Sequence, residues 1–195
     1  ELNEADLIFG FEGNDTILGL SGDDTLVGGA GQDTITGASG NDWLFGNAEI
    51  DDILGDEGND SIAAGQGDDR VQGGQDNDLI FGNLGQDFLV GGANNDTVFG
   101  GKENDLLFGG SGNDALFGEL GVDFLQGVDS GQSGETPQFG LGEIDTLTGG
   151  VEGDFFILGD ENRSFYLGSG NNDYAIITDF LVGEDIILLQ QTDNV

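Results

Sequence analysis

The chain has 195 residues, of which 39 are glycine, 39 are Asp or Glu and three are Lys or Arg, so its formal net charge is −36. This charge argues against nucleic acid or an anionic membrane as partner, because phosphates need basic residues to neutralise them. Since the chain has neither Cys nor His, disulfides, thiol nucleophiles and histidine bases are excluded. No apolar run approaches the roughly 18 residues of a membrane span. The abundant carboxylates favour a hard cation, and Ca²⁺ fits them best.

A nine-residue repeat begins at Asp6 and ends at Gly127. Its aspartates are Asp6, Asp15, Asp24, Asp33, Asp42, Asp51, Asp60, Asp69, Asp78, Asp87, Asp96, Asp105, Asp114 and Asp123. Two residues after each one comes a branched aliphatic residue, from Ile8 to Leu125, and four residues after it comes glycine, with Ala64 as the exception. A disordered acidic chain has no reason to keep aliphatic residues in phase with aspartate. Disorder is therefore expected only in the calcium-free state.

Each repeat is predicted to contain a glycine-rich turn followed by a very short strand. Residues 28–33 illustrate the turn and residues 34–36 the strand. Side chains alternate in a strand, so the central aliphatic residue faces inward and its two neighbours face outward. One inward residue per strand cannot form a core alone, but stacked repeats bury a continuous column. The pattern therefore predicts an all-β solenoid.

The repeat resembles the GGxGxDxUx nonapeptide of the RTX (repeat-in-toxin, haemolysin-type) calcium-binding proteins, over residues 6–127. The resemblance implies a right-handed parallel β-roll, a form of β-helix, with two nonapeptides in each eighteen-residue coil. Successive repeats would then lie on opposite sheets. Each Ca²⁺ would lie between two turns eighteen residues apart, bound by both aspartates and by alternate turn carbonyls.

The resemblance assigns the fourteen repeat aspartates as calcium ligands. It adds backbone carbonyls, among them those of Gly29, Gly31, Gly65, Gly67, Gly82 and Leu84. One site would use Gly65, Gly67 and Asp69 together with Gly82, Leu84 and Asp87. Seven aspartates on each side leave six gaps per side, so roughly a dozen ions are expected. Four turns depart from the pattern, with Glu49, Asp76, Asn94 or Glu103 in place of the glycine two residues before Asp. Because Glu tolerates left-handed backbone geometry poorly, the Asp51 and Asp105 turns are expected to be impaired.

After Gly127 the phase breaks, which divides the chain into a roll over residues 1–127, a loop over 128–142 and a C-terminal part over 143–195. The loop contains the only proline, Pro137. The repeat resumes weakly at Asp145 and Asp154, which are further candidate ligands. Longer apolar runs follow at 155–158, 165–167, 174–177 and 186–189, and they predict strands that cap the open end of the roll. Residues 143–150 and 176–188 are similar to cyanobacterial haemolysin-type calcium-binding proteins in particular.

Several other functions are disfavoured. The sequons at Asn14, Asn59, Asn95 and Asn162 mostly arise from turn Asn, ligand Asp and strand Thr or Ser. Ice binding would favour Thr three residues before each Asp, and none occurs there. No phosphate loop, EF-hand or nucleophile elbow is present, and the repeated carboxylates are accounted for as calcium ligands, so no enzyme activity is expected.

Two hypotheses remain for the function. In the first, the chain is a calcium-gated structural module of a secreted or cell-surface protein. In the second, it is the secretion module of a larger extracellular toxin, protease or lipase whose catalytic domain lies upstream. One outer face also carries Phe9, Phe45, Phe81, Phe99 and Phe117. Because neighbouring parallel strands lie about 4.8 Å apart, these rings are expected to form a near-continuous row. Such an apolar stripe predicts self-association or packing against another domain.

Overall fold

The computed structural model describes residues 4–128, 144–160, 163–164 and 174–188. Its strands form two parallel nine-stranded sheets. The first sheet contains β1 (Leu7–Glu12), β3 (Thr25–Ala30), β5 (Trp43–Ala48), β7 (Ser61–Gln66), β9 (Leu79–Leu84), β11 (Thr97–Lys102), β13 (Ala115–Leu120), β15 (Ile144–Val151) and β19 (Tyr174–Ile177). The second contains β2 (Thr16–Ser21), β4 (Thr34–Ser39), β6 (Asp52–Glu57), β8 (Arg70–Gln75), β10 (Phe88–Ala93), β12 (Leu106–Ser111), β14 (Phe124–Val128), β16 (Phe155–Ile157) and β20 (Ile186–Leu188).

The strand order shows that the chain alternates between the two sheets. Odd-numbered strands stack in one sheet and even-numbered strands in the other, as far as β16. Each strand pairs with the strand one coil later, and paired residues such as Leu26 and Leu44 are eighteen positions apart. The predicted parallel β-roll with two repeats per coil is therefore confirmed. A short antiparallel pair, β17 (Gly159–Asp160) and β18 (Arg163–Ser164), lies outside the two sheets.

The core is a narrow double column of aliphatic side chains. In each strand the inward positions are the repeat aspartate, the aliphatic residue two positions later and the glycine two positions after that, while the intervening side chains face outward. The aliphatic residues from Leu26 to Leu125 are buried, as are Leu147 and Phe156. Burying one such side chain contributes about 1.5–3 kcal/mol, so stability grows coil by coil.

The weak repeat after residue 127 returns to register. Leu147 pairs with Leu116 and Phe156 with Leu125, although these partners are 31 rather than 18 residues apart. The thirteen additional residues fall between β14 and β15. Val128 ends β14, and the rest of the predicted loop, with Pro137, lies outside the described residues. The predicted strand at 165–167 and Asn162 also lie outside them.

The last strands of both sheets come from the C-terminal part of the chain. β19 pairs with β15, and β20 pairs with β16. The apolar runs at 174–177 and 186–188 thus lie at the ends of the two sheets, where a cap was predicted. Among the described residues there is no helix that is long and apolar enough to cross a membrane.

The outer face of the first sheet carries a stack of phenylalanines that is shorter than predicted. The Phe81 and Phe99 ring centroids are 5.0 Å apart, and those of Phe99 and Phe117 are 4.8 Å apart, with nearly parallel planes. Ala63 pairs with both Phe45 and Phe81 and interrupts the row between them. The expected near-continuous row is therefore wrong, because a methyl group cannot bridge two rings across a strand.

Candidate metal centre in the aspartate turns

The repeat aspartates form two columns along the edges of the roll, one for each set of turns. The first ladder consists of Asp6, Asp24, Asp42, Asp60, Asp78, Asp96, Asp114 and Asp145. The second ladder consists of Asp15, Asp33, Asp51, Asp69, Asp87, Asp105, Asp123 and Asp154. From Asp24 and Asp33 onward these residues are buried. Each therefore lies inside the roll, at the point where a turn enters a strand.

Within each ladder, one carboxylate oxygen is bound by the backbone of the coil before it. The Asp60 N–H donates to Asp78 Oδ1 at 2.8 Å, and the Asp78 N–H donates to Asp96 Oδ1 at the same distance. The same bond connects Asp114 to Asp145 and Asp123 to Asp154, at 2.9 Å in both pairs. The structure thus brings together aspartates that were predicted to share an ion.

In twelve of these aspartates the other carboxylate oxygen has no hydrogen-bond partner. This holds for the buried Oδ2 atoms of Asp15, Asp24, Asp33, Asp42, Asp51, Asp60, Asp69, Asp78, Asp87, Asp96, Asp105 and Asp123. A buried polar atom without a partner costs about 1–3 kcal/mol, and more if it is charged. Because this free-energy cost recurs from coil to coil, the fold would be unstable unless a cation or a proton compensated it.

A glycine lies beside each of these unpartnered oxygens except that of Asp69, for which Ala64 occupies the equivalent position. A Cβ atom added at Gly73 would overlap Asp78 Oδ2 and would lie 2.6 Å from the Gly91 carbonyl oxygen. The aspartate Oδ2 and a carbonyl from the next coil therefore face the same small space. Carboxylate and carbonyl oxygens are the ligands that Ca²⁺ prefers, so the donor set fits the expected ion.

The turn carbonyls predicted as ligands lie between successive turns. A Cβ atom at Gly85 would overlap the Gly67 carbonyl oxygen, which shows that this carbonyl faces the next turn. The Leu84 carbonyl accepts a hydrogen bond from the Gly67 N–H at 2.9 Å. Since a carbonyl oxygen has two lone pairs, this bond leaves Leu84 one for an ion.

The positive-φ glycines among the predicted ligands occupy equivalent positions in their turns. Gly29, Gly31, Gly65 and Gly67 all have φ between 120° and 138°. A side chain at any of them would meet a backbone oxygen of the preceding coil, such as that of Glu49 for Gly67. Gly82 begins its turn beside Asp87, whose carboxylate a Cβ atom there would overlap.

Side chains alone do not complete a site. Among the described residues, no group of three or more acidic side chains is arranged to hold a metal ion. Each gap offers two ladder aspartates, so an ion there would need backbone carbonyls to reach the six to eight oxygens that Ca²⁺ takes. This matches the mixed ligand set that the resemblance implied.

Burial raises the pKa of ten ladder carboxyls, those of Asp42, Asp51, Asp60, Asp69, Asp78, Asp87, Asp96, Asp105, Asp123 and Asp154. It raises the pKa of Asp78 to about 8, against the hydrogen bond from the Asp60 N–H, and the charges of Asp96 and Asp60 act in the same direction as burial. Burial is also the main cause that raises the pKa of Asp105 to about 8. A carboxyl with a raised pKa supports the fold below its ordinary value of 3.8, and that support is lost as the pH rises towards 8. Near neutral pH these carboxyls must take up protons when the chain folds without a cation, which costs stability, whereas a bound cation would favour the ionised form.

The turns with glutamate also have a positive φ at this position, smaller than that of the equivalent glycines. Glu49 has a φ of 75° and Glu103 a φ of 72°, both in the left-handed region. Holding a residue other than glycine in this region costs roughly 1–2 kcal/mol, and the expected impairment of the calcium sites at the Asp51 and Asp105 turns stays a prediction.

The sequence analysis missed the end of the second ladder. Asp185 accepts the Asp154 N–H at 3.1 Å, as a ladder residue does, but its Oδ2 accepts the Leu181 N–H at 2.6 Å. Asp179 accepts the N–H groups of Gly149 and Gly150 at 3.0 and 2.8 Å. The signal was the spacing of 31 residues from Asp154 to Asp185, which repeats that from Asp123 to Asp154.

The sequence analysis also missed a column of polar side chains beside the first ladder, in which one carboxylate is followed by five amides. It consists of Asp23, Asn41, Asn59, Asn77, Asn95 and Asn113. Each Asn Nδ2 donates to the side-chain oxygen one coil earlier at 3.1–3.2 Å. The sequence signal for this column was that Asn recurs immediately before alternate repeat aspartates. Asn59 and Asn95, two of the sequon residues, are thus engaged in the column.

A family model for the RTX calcium-binding nonapeptide repeat matches the chain in four copies, at residues 3–26, 18–53, 54–89 and 90–125. The chain belongs to this family. The matched repeats are the same coils whose aspartates form the two ladders, so calcium is the ion that the RTX turns are built to bind. A search of curated proteins found none that matches this RTX chain.

Proposed function

We propose that this RTX roll is a structural and secretion module of an extracellular or cell-surface protein, and that it folds when it binds calcium. The observation that supports this most directly is the row of buried, unpartnered Oδ2 atoms in both ladders. Their repulsion opposes folding, and an ion between each pair of turns would reverse it. In this role the ladder carboxylates are ligands rather than acid–base catalysts, so the module is not an enzyme.

The proposed ligands are the aspartates of both ladders, including Asp145 and Asp154, together with turn carbonyls such as those of Gly65, Gly67, Gly82 and Leu84. Roughly a dozen ions would fill the twelve gaps between Asp6 and Asp123. An ion present at ten times its dissociation constant adds about 1.4 kcal/mol to stability. Twelve such ions would therefore decide whether the roll folds.

Calcium gating would couple folding to location. Inside a cell calcium is scarce, so the chain would stay unfolded and could pass through a type I secretion channel. Outside, calcium near millimolar concentration suits the weak sites that are typical of extracellular modules. The strands at 174–177 and 186–188 would cap the roll once it has formed.

The first prediction is that the chain is unfolded in EGTA and gains a cooperative β spectrum in millimolar Ca²⁺. Circular dichroism during a calcium titration measures this, with Mg²⁺ at equal concentration as the control for general charge screening. Mg²⁺ should be less effective, because it demands a tighter octahedral shell. A cooperative β spectrum that persists in EGTA contradicts calcium gating.

The alternative is that the roll serves a larger toxin, protease or lipase with an upstream catalytic domain. Exposed apolar side chains on the first coil favour a packing partner there. Leu7 is 63% exposed, Phe9 47% and Phe11 72%. The sequence encoded before Glu1 distinguishes the hypotheses, since a catalytic motif supports the alternative and further repeats support the structural module.

A further inference from the structure

Two glutamates that replace turn glycines reach across to the preceding turn of the second ladder. The carboxylate Oε2 of Glu103 accepts the Gly85 N–H at 3.1 Å. Glu152 Oε2 accepts the Gly121 N–H in the same way at 3.0 Å. Both glutamates have left-handed backbone, with φ of 72° and 81°. The contact is thus the same in two coils whose sequences otherwise differ.

These contacts differ from those of an ordinary turn, although the Gly121 N–H also donates to the Val151 carbonyl at 3.4 Å. The equivalent Gly67 N–H donates to the Leu84 carbonyl, and the Gly31 N–H donates to the Ala48 carbonyl. Glu49 occupies the same position as Glu103, so a glutamate alone does not impose the changed bond. At Gly85 a carboxylate oxygen lies where other turns present a carbonyl oxygen to the neighbouring coil.

Each of these glutamates lies beside two ladder aspartates that face one gap. Gly85 lies two residues before Asp87 and Glu103 two residues before Asp105, so the bond between Gly85 and Glu103 joins the two turns that contain these aspartates. The bond from Gly121 to Glu152 joins the turns of Asp123 and Asp154 in the same way. Asp87, Asp105 and Asp123 each have a buried Oδ2 with no hydrogen-bond partner. A third negative charge at such a gap would worsen the repulsion unless a cation occupied it.

We propose that Glu103 and Glu152 are additional calcium ligands, which give the Asp87–Asp105 and Asp123–Asp154 gaps a third carboxylate. This inference rests on the proposed function. In this structure each glutamate carboxylate is bound to a turn N–H, and the three acidic side chains are not grouped as a metal site, so each glutamate would have to leave that N–H to bind the ion. The two gaps then bind calcium more tightly than gaps with two carboxylates, because ligand charge is a main determinant of calcium affinity. The two turns in which Glu103 and Glu152 replace glycine are therefore sites with higher calcium affinity.

The test compares calcium binding by the whole chain and by two double variants, E103Q/E152Q and E103G/E152G. Glu119→Gln is the matched control. Glu119 lies in the turn before Asp123 and also has a positive φ, of 77°. It lines a surface groove together with residues of the first sheet such as Phe45 and Asn83. Titration against a chromophoric chelator gives the number and affinity of the tightest ions. Circular dichroism in saturating calcium checks that each variant is folded.

Two ions should be tighter than the rest in the unaltered chain, and their affinity should fall about tenfold in both double variants. The control should keep both ions. The glycine variant is decisive, because a glutamate that only strains its turn would bind calcium better after replacement by glycine. Equal affinity in the control and the double variants, or a gain with glycine, overturns the inference while leaving calcium gating intact. If the unaltered chain binds no calcium, both proposals fail.

Discussion

At the scale of single residues, the roll depends on positions that have no space for a larger side chain. The glycine before each turn is required by space rather than by backbone conformation, since Gly73 has no positive φ and yet a Cβ there would overlap Asp78. The structure tolerates one methyl at this position, at the buried Ala64. A substitution here is therefore expected to affect calcium binding before it abolishes the fold.

Replacing Gly73 with Ala should destabilise the calcium-bound roll by about 1–3 kcal/mol through overpacking, and should raise the calcium midpoint. The adjacent Gln72→Ala is the control, because Gln72 is exposed on the outer face and such changes usually stay within about 0.5 kcal/mol. Chemical denaturation in calcium and calcium titration measure both quantities. Indistinguishable midpoints for the two variants would show that the space beside Asp78 is not a calcium site.

At the scale of strands, the two outer faces are unequal. The first sheet carries the continuous stack of Phe81, Phe99 and Phe117, in which each ring is half-buried by its neighbours. Aromatic pairs contribute about 0.5–1.5 kcal/mol beyond their buried area, so part of the stack is explained by stability. We propose that the remaining exposed area, with Phe9 and Phe45, supports self-association or the packing of another domain.

Self-association is expected only in calcium, because a charge of −36 keeps copies apart and bound ions would offset much of it. Sedimentation in calcium should show concentration-dependent association of the unaltered chain. The triple substitution of Phe45, Phe81 and Phe99 by Thr should abolish it, whereas Phe88→Thr on the second sheet should not. If the unaltered chain and the triple variant are both monomeric, this face does not mediate self-association.

At the scale of the molecule, the period of the sequence determines most of the fold. Because Asp, aliphatic residue and glycine recur at fixed offsets, the sequence predicted the short strands and the core column. The two sheets, the eighteen-residue coil and the pairing of aspartates were implied by the resemblance to RTX repeats. The sequence could not predict contacts between side chains of different coils. The bond from Gly85 to Glu103, the termination of the second ladder at Asp185 and the break at Ala63 depend on which residues become neighbours eighteen or 31 positions apart.

The calcium concentration needed for folding should also depend on how many ladder aspartates are intact. Asp60, Asp78 and Asp96 are consecutive in the first ladder and face four gaps. Changing them to Asn preserves an Oδ1 acceptor for the coil before, but replaces the unpartnered Oδ2 with an N–H₂ that can donate to a glycine carbonyl. The variant should bind fewer ions and have a higher calcium midpoint. Each ion lost removes about 1.4 kcal/mol at ten times its dissociation constant.

The matched control changes Asp23, Asp52 and Asp68 to Asn, which removes the same charge at exposed positions outside the ladders. Calcium titration by circular dichroism gives the midpoints, and export from cells with a type I secretion system gives the secretion rate. The ladder variant should be secreted more slowly than the control, because calcium-driven folding outside the cell would draw the chain outward less strongly. Equal midpoints and equal secretion of the two variants would contradict the proposal that the ladder couples calcium to folding and export.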